Sequence, residues 1–289
     1  RLYSEEDFNA RPAFTDPEIL RTNLAAVILQ MLHLRLGEID AFPFIEPPDG
    51  KAISDGFNLL QELSAVNREN QLTPLGRQLA RLPVDPRLGR MLLEGARQGS
   101  LQEVLIVASA LSVQDPRERP PERQQAADQA HAQWKDSDSD FAALVNLWRG
   151  FEEQRLALTS SPLRNWCRKN FLNYLRLREW RDAHRQLGLI CRELQLGVNK
   201  EPADYPRLHK AVLSGLLSQI GQKTEEGDYL GARQRRFWIH PSSGLGRKRP
   251  QWLMTAELVE TTKLYARMVA KIEPDWIEPL AGHLVKKNH

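Results

Sequence analysis

The chain has 289 residues and a mass of 33.1 kDa, with 41% hydrophobic and 27% charged residues, which is close to an average soluble globular protein. The length predicts about two domains, or three small ones, and the composition excludes a collagen-like repeat, a coiled-coil rod or a long disordered tail as the main content. No apolar run approaches the roughly 20 residues that a membrane-spanning helix needs.

The net charge of +3 is unevenly distributed. Residues 207–289 carry 14 Lys and Arg against 8 Asp and Glu, a net charge of +6, whereas residues 1–206 carry 26 against 29, a net charge of −3. The surplus indicates a polyanionic partner for the last 83 residues.

The start of the chain has no signal-peptide layout, and Arg1 stands where a methionine would begin a complete protein, so we expect a piece of a longer protein. Cys167 and Cys191 are the only cysteines. Two thiols cannot make a disulfide framework or a four-thiolate zinc site, which favours a reducing, cytoplasmic setting.

The N-terminal region predicts a small module of three helices. Residues 1–16 contain no complete element, and Pro17 begins a helix that runs to about Leu36. A second helix is predicted from about 51 to 66, and Thr73 and Pro74 start a short third helix. Three short helices around a turn-rich connection are typical of a winged-helix domain.

The middle of the chain predicts an all-helical bundle. Apolar residues recur at helical spacing between capping residues and prolines. The predicted helices cover 86–98, 101–113, 122–134, 138–158, 162–176 and 177–196.

From about Gln219 the pattern changes to short runs of β-branched and aromatic residues divided by Gly and Pro. It predicts four or five antiparallel strands, enough for a small closed barrel, followed by a C-terminal helix in EPDWIEPLAGHLVKK. The fold class is therefore mainly α with a C-terminal β-barrel.

Motifs for a self-contained active site are absent. The sequence has no G-x-x-x-x-G-K-[ST], H-E-x-x-H or C-x-x-C, and none of its seven histidines is paired at i,i+3 or i,i+4. We therefore predict no catalytic, metal or cofactor site in this chain, and no ATPase activity of its own.

Two basic groups with aromatic neighbours lie in the strand region. They are Arg233, Arg235, Arg236, Phe237 and Trp238, then Arg247, Lys248, Arg249 and Trp252. Single-strand binders combine such cations and rings. Alternatively, Phe237 and Trp238 fill the barrel core and the arginines solvate its outside.

Two loops could contact phosphates. QDPRERP (114–120) presents Arg117 and Arg119 from a stiff turn, and HPSSG presents Ser242 and Ser243 before free backbone amides. Taken alone, the arginines of QDPRERP would more often belong to a solvated loop, and HPSSG could equally be a plain turn.

Seven stretches, in order along almost the whole chain, resemble the C-terminal half of a DEAH-box RNA helicase of the bacterial HrpA type. They are RLYSEEDF, FTDPEILRTNLAAVILQM, FPFIEPPD, LTPLGRQLARLPVDPRLGRMLLE, EVLIVASALSVQDPRERP, NFLNYLRLREW and WIHPSSGL. The resemblance implies the tail of a second RecA-like domain at 1–16, a winged-helix domain at 17–85, a helical ratchet-like domain at 86–206, and an OB-fold with a C-terminal helix at 207–289.

The resemblance also implies a function. The domains would cap two upstream RecA-like motors, which bind ATP and Mg in the parent helicase, and close a tunnel for single-stranded RNA; the protein would be a monomer. It implies contacts at Arg21, Thr22, Asn23, Arg117, Arg119, His240, Ser242 and Ser243, and the basic and aromatic pattern adds Arg235 and Lys248 to the predicted RNA-binding residues. Arg21 could instead pair with Glu18 or Glu38.

This interpretation makes two geometric predictions. Arg117 and Arg119 should face Ser242 and Ser243 across one groove, and the basic side chains of 233–236 and 247–249 should face the helical bundle. The competing hypothesis is a non-enzymatic module whose winged-helix and OB-fold surfaces bind protein. A nuclease or glycosidase would need converging carboxylates, which the sequence does not indicate.

Overall fold

The computed structural model describes residues 24–283, apart from the side chain of Arg247. The chain divides into two compact units, Arg1–Pro86 and Arg87–His289. The predicted segment 1–16 and the predicted start of the first helix lie outside the described residues.

The first unit is helical. Asp49 caps its second helix by accepting the Ala52 N–H at 2.6 Å, and Thr73 caps the third by accepting the Gly76 N–H at 2.9 Å. Gly76 has no room for a side chain, because a Cβ there would lie 1.9 Å from the Ala65 carbonyl oxygen. The helices are α1 (Leu24–Leu34), α2 (Gly50–Glu62) and α3 (Pro74–Leu79).

The second unit begins with a helical bundle around the helix Leu101–Leu111, which is buried on nearly every side. Trp180, fully buried, donates its indole N–H to the Ile106 carbonyl at 3.1 Å and to Ser109 Oγ at 3.0 Å, so its polar atom is satisfied inside the core. The helices are α4 (Pro86–Gln98), α5 (Leu101–Leu111), α6 (Gln124–His131), α7 (Asp140–Ala157), α8 (Ser160–Lys169), α9 (Tyr174–Glu193) and α10 (Tyr205–Leu213).

The prediction of one helix over 162–176 is wrong. Helix α8 ends at Lys169, and Phe171 adopts a left-handed conformation with φ of +53°. Asn173 then caps α9, since its side chain accepts the N–H groups of Leu175 and Arg176. Its capping chemistry outweighs the apolar periodicity that continues across the break.

The barrel has five strands in the closed order β1-β2-β3-β5-β4. All pairs are antiparallel except β3 with β5, which is parallel, so the prediction of purely antiparallel strands is wrong at that one pair. Tyr229 and Phe237 stack inside the barrel with ring centroids 5.9 Å apart. The strands are β1 (Ile220–Lys223), β2 (Tyr229–Gly231), β3 (Arg236–Ile239), β4 (Trp252–Glu260) and β5 (Leu264–Lys271).

A short helix, α11 (Ile277–Ala281), follows the barrel, and residues 284–289 of the predicted C-terminal helix lie outside the described part. Over residues 24–283, none of the helices combines the length and the hydrophobicity that a membrane crossing requires.

Candidate nucleic-acid interface

An alternating Asp-Ser segment, Asp136–Asp140, connects the bundle to the barrel. Asp136 Oδ1 accepts the backbone N–H groups of Asp138 and Ser139, both at 2.9 Å. Ser139 caps α7 by accepting the Ala142 N–H at 2.9 Å, while the Asp138 carbonyl accepts the Lys271 N–H at 2.8 Å. The same five residues thus start a bundle helix and extend the edge of β5.

Asp140 fixes the HPSSG loop to this junction. Its carboxylate is buried, with Oδ1 accepting the Gly244 N–H at 3.1 Å and Oδ2 accepting the Val269 N–H at 3.0 Å. One carboxylate therefore joins the start of α7, the loop after β3 and strand β5.

Gly244 makes a close approach at the same place, because a Cβ there would lie 2.4 Å from the Asp136 carbonyl oxygen. We expect Gly244→Ala to lower the free energy of unfolding by about 1–3 kcal/mol, since backbone would have to move. Gly246→Ala is the matched control, because a Cβ at Gly246 meets nothing within 4 Å. Urea unfolding of both variants checks this; equal midpoints would show that the loop has room.

The QDPRERP loop is held against the turn between α8 and α9. The Glu118 N–H donates to the Phe171 carbonyl at 2.8 Å, and the Asn173 N–H donates to the Pro116 carbonyl at 2.8 Å. Arg117 donates from Nη2 to Asp115 Oδ2 at 2.6 Å and lies 3.7 Å from the Met268 sulfur. The loop is therefore stiff, as its prolines predict, and Arg117 already has an anionic partner.

Arg119 makes a two-bond pair with Asp128, Nε to Oδ1 at 2.8 Å and Nη2 to Oδ2 at 2.7 Å. The hydrogen bond from Arg119 holds the pKa of the Asp128 carboxyl below its ordinary value. Both side chains are about two-fifths exposed, so solvent screening keeps the contribution of this pair to stability small.

The HPSSG loop presents a neutral imidazole and two hydroxyls. His240 Nδ1 accepts the Ser242 backbone N–H at 3.2 Å and lies 2.7 Å from Ser242 Oγ. Burial, with the positive charges of Arg267 and Arg119, lowers the pKa of His240. Because Nδ1 accepts, the neutral ring carries its proton on Nε2.

The two loops line one cleft of about 410 Å³. Arg117 and Arg119 lie on its bundle side, and His240, Ser242 and Ser243 on its barrel side. The expectation that these loops meet across a groove therefore agrees with the structure, whereas contact of any of these residues with RNA stays a prediction.

The cleft is not a purely basic channel. Its lining has four cations and four carboxylates, which gives a formal net charge of zero: Arg117, Arg119, Lys135 and Arg267 against Asp115, Asp128, Asp140 and Glu257. Lys135 and Arg267 are exposed, and neither forms an ion pair within residues 24–283. These two cations were missed by the sequence analysis.

A second depression of about 660 Å³ is also lined by residues of the HPSSG loop, and it shares Lys135 and Ser243 with the cleft. Arg249 and the half-buried Trp238 line it, and the Lys263 ammonium lies 4.6 Å from the Trp238 ring centre. Trp238 is thus open to the surface, whereas Phe237 fills the barrel core. The core alternative therefore holds for Phe237 alone, and nucleic-acid binding by Trp238 stays a prediction.

Two other predicted contacts, Arg235 and Lys248, are not among the residues that line the cleft. Arg235 precedes β3 and His240 follows it, which separates them by the length of the strand. Lys248 does face the bundle, where its ammonium bonds Ser137 Oγ at 2.7 Å and Asp138 at 3.1 Å. Arg21, Thr22 and Asn23 lie outside the described residues.

The prediction that all the barrel arginines face the bundle is wrong for Arg236. Its guanidinium pairs with Glu226 and lies 3.5 Å from Asp228, both next to β2. Acidic residues within the barrel's own hairpin neutralise this part of the basic surplus.

Three family models match the chain in succession. They are a winged-helix part of the helicase-associated domain over 57–84, its ratchet-like part over 85–144, and an oligonucleotide/oligosaccharide-binding (OB) fold over 208–284. This order, a winged helix followed by a ratchet-like bundle and a closed barrel, is that of the accessory region of a helicase.

Two curated relatives match the whole chain, and both are HrpA proteins. The chain is 55% identical over 295 residues to ATP-dependent RNA helicase HrpA of Escherichia coli, and 56% identical over 297 residues to its homolog in Haemophilus influenzae. Together with the three family models, these matches identify the chain as similar to a C-terminal fragment of an HrpA-type helicase. It spans 23% of the length of each relative, a smaller share than the half that the resemblance implied.

Proposed function

We propose that this chain is the RNA-binding accessory part of an ATP-dependent RNA helicase, and that it closes a single-stranded RNA tunnel over two upstream RecA-like motors. ATP and Mg would bind to those motors. The observation that carries the proposal is the cleft between the QDPRERP and HPSSG loops, on a chain whose relatives are named ATP-dependent RNA helicases.

The cleft chemistry suits a strand of any sequence. Lys135 and Arg267 offer cationic contacts to phosphates, and the Ser243 hydroxyl and His240 Nε2–H offer neutral donors. Guanidinium, hydroxyl and imidazole donors can contact the sugar-phosphate backbone of RNA without distinguishing its bases. A translocating motor requires this tolerance because it must move along any sequence.

Arg117 and Arg119 have different parts in this proposal. Arg117 is tied to Asp115 and to the sulfur of Met268, so it mainly positions the loop. Arg119 is more exposed and can exchange Asp128 for a phosphate. Arg119 and Arg267 are therefore the pair to test.

We expect Arg119→Ala with Arg267→Ala to weaken binding of single-stranded RNA by the parent helicase about tenfold at low salt, and equally for different sequences. The slope of log affinity against log salt should fall by about 1.4, at roughly 0.7 per phosphate contact. Fluorescence anisotropy with a uridine and an adenosine oligonucleotide over a salt series measures both quantities.

The matched control is Arg178→Ala with Arg185→Ala, which removes the same charge from exposed positions of α9. An equal slope change in both double variants would assign the effect to net charge and not to the cleft. Unchanged RNA binding in the cleft variant would favour the protein-docking hypothesis.

A further inference from the structure

The far side of the QDPRERP loop carries a separate basic surface. We define the arginine patch as the exposed residues Arg123, Arg164, Arg168 and Leu175 with the half-buried rings of Phe171 and Tyr174. They line an open depression of about 370 Å³. Glu118 and Pro120 border this depression, whereas Arg117 and Arg119 of the same loop border the cleft.

Unlike Arg117 and Arg119 in the cleft, the patch arginines have no carboxylate partner among residues 24–283. Arg123 lies 4.8 Å from the centre of the Phe171 ring and Arg164 lies 5.3 Å from that of Tyr174. The single carboxylate in the lining belongs to Glu118, which accepts a hydrogen bond from Asn173 at 2.8 Å. The lining thus has three cations against one anion.

Leu175 adds an apolar element at the rim. Its side chain is 63% exposed, at the first turn of α9 and beside the two rings. An exposed leucine among arginines is suited to a ligand that presents both carboxylates and an apolar side chain.

We propose that the arginine patch binds an acidic peptide segment that carries a large apolar side chain, supplied by a partner protein. The partner's carboxylates pair with Arg164, Arg168 and Arg123, and its apolar side chain packs on Leu175. RNA fits less well because the patch's own guanidiniums lie over both rings and leave less ring surface for bases to stack on.

The test uses the full 289-residue chain as bait for a phage-displayed library of random peptides. Phage that also bind an Arg164→Glu and Arg168→Glu variant are removed. Recovered peptides should share a cluster of Asp or Glu around one Leu, Phe or Met. Recovery of no common motif, or of one without acidic residues, would overturn the proposal.

Affinities of a recovered peptide, measured by fluorescence anisotropy, then locate the site. The Arg164→Glu and Arg168→Glu variant should bind at least about tenfold more weakly, because two charge-assisted contacts become repulsive. Arg178→Glu with Arg185→Glu changes the charge equally and should bind normally. Leu175→Ser should weaken binding without altering its salt dependence.

A uridine oligonucleotide separates this inference from the proposed function. Reversing the patch charges should weaken peptide binding about tenfold while changing RNA affinity no more than the control pair does. The cleft variant Arg119→Ala with Arg267→Ala should retain peptide binding. A selective loss of RNA affinity in the patch variant, or an equal loss of peptide affinity in the control pair, would refute an acidic-peptide site.

Discussion

Replacement of Asp140 by alanine should lower the free energy of unfolding of the Arg87–His289 unit by about 3 kcal/mol. The change removes the acceptor of two backbone N–H groups, those of Gly244 and Val269, and leaves both without a protein acceptor at the junction. A hydrogen bond to a charged acceptor contributes roughly 1.5–3 kcal/mol to stability. Removal of the buried carboxylate also removes its desolvation penalty, but the loss of two such hydrogen bonds outweighs that gain.

Equilibrium urea unfolding, followed by tryptophan fluorescence, measures this loss. Asp138→Ala serves as the control, since the Asp138 carboxylate is 42% exposed and pairs with Lys248 at the surface. We expect that control to lose less than about 1 kcal/mol. Similar midpoints for the two variants would mean that Asp140 does not hold the loop.

Acid should destabilise the same unit through His209. This imidazole is fully buried, donates from Nδ1 to the Tyr205 carbonyl at 2.7 Å and has Nε2 2.6 Å from Ser139 Oγ. Ser139 Oγ already accepts the Ala142 N–H, so it donates its own proton to Nε2. The arrangement fits a neutral ring, and burial lowers the pKa of His209 from 6.5 to about 4.

As the pH falls, His209 is protonated at a higher pH in the unfolded chain than in the folded chain. The stability associated with neutral His209 is therefore complete above about pH 6.5, falls as the pH drops, and is lost by about pH 4. At about 1.4 kcal/mol for each pKa unit, the total is roughly 3 kcal/mol.

Urea unfolding of wild type and His209→Gln between these two pH values checks the size of the effect. The variant should be less stable at neutral pH but should lose less stability on acidification. His33→Gln, at an exposed position of the other unit, should keep the wild-type pH dependence. If the free energy of unfolding changes with pH equally in wild type and in His209→Gln, His209 is not the source of the acid destabilisation.

Much of the fold could be predicted because its signals are local. Thr73 before Pro74 and Ser139 before α7 are capping residues, and each starts a helix where the sequence places it. The division of the 162–176 pattern was not predictable from apolar spacing, since Leu163, Cys167 and Leu172 lie in the core on both sides of the break.

The candidate site was predicted less completely. The two loops were identified from the resemblance, but a pairing such as Arg119 with Asp128 depends on where α6 packs, which spacing does not encode. In β5 the left-handed Met268, with φ of +54°, breaks the inward-outward alternation, so Val269 and Ala270 are both buried. Alternation therefore could not assign Arg267 to the cleft.

The zero net charge of the cleft has a consequence for a moving polyanion. Under the proposed function, a phosphate that reaches Arg119 would take the place of the Asp128 carboxylate, and the carboxylate would return when the phosphate leaves. Because one anion is exchanged for another, a phosphate would gain less from Arg119 than from a guanidinium that has no carboxylate partner. Under the proposed function, the carboxylates of the cleft would therefore keep any one phosphate from being held too tightly, which favours the passage of successive nucleotides.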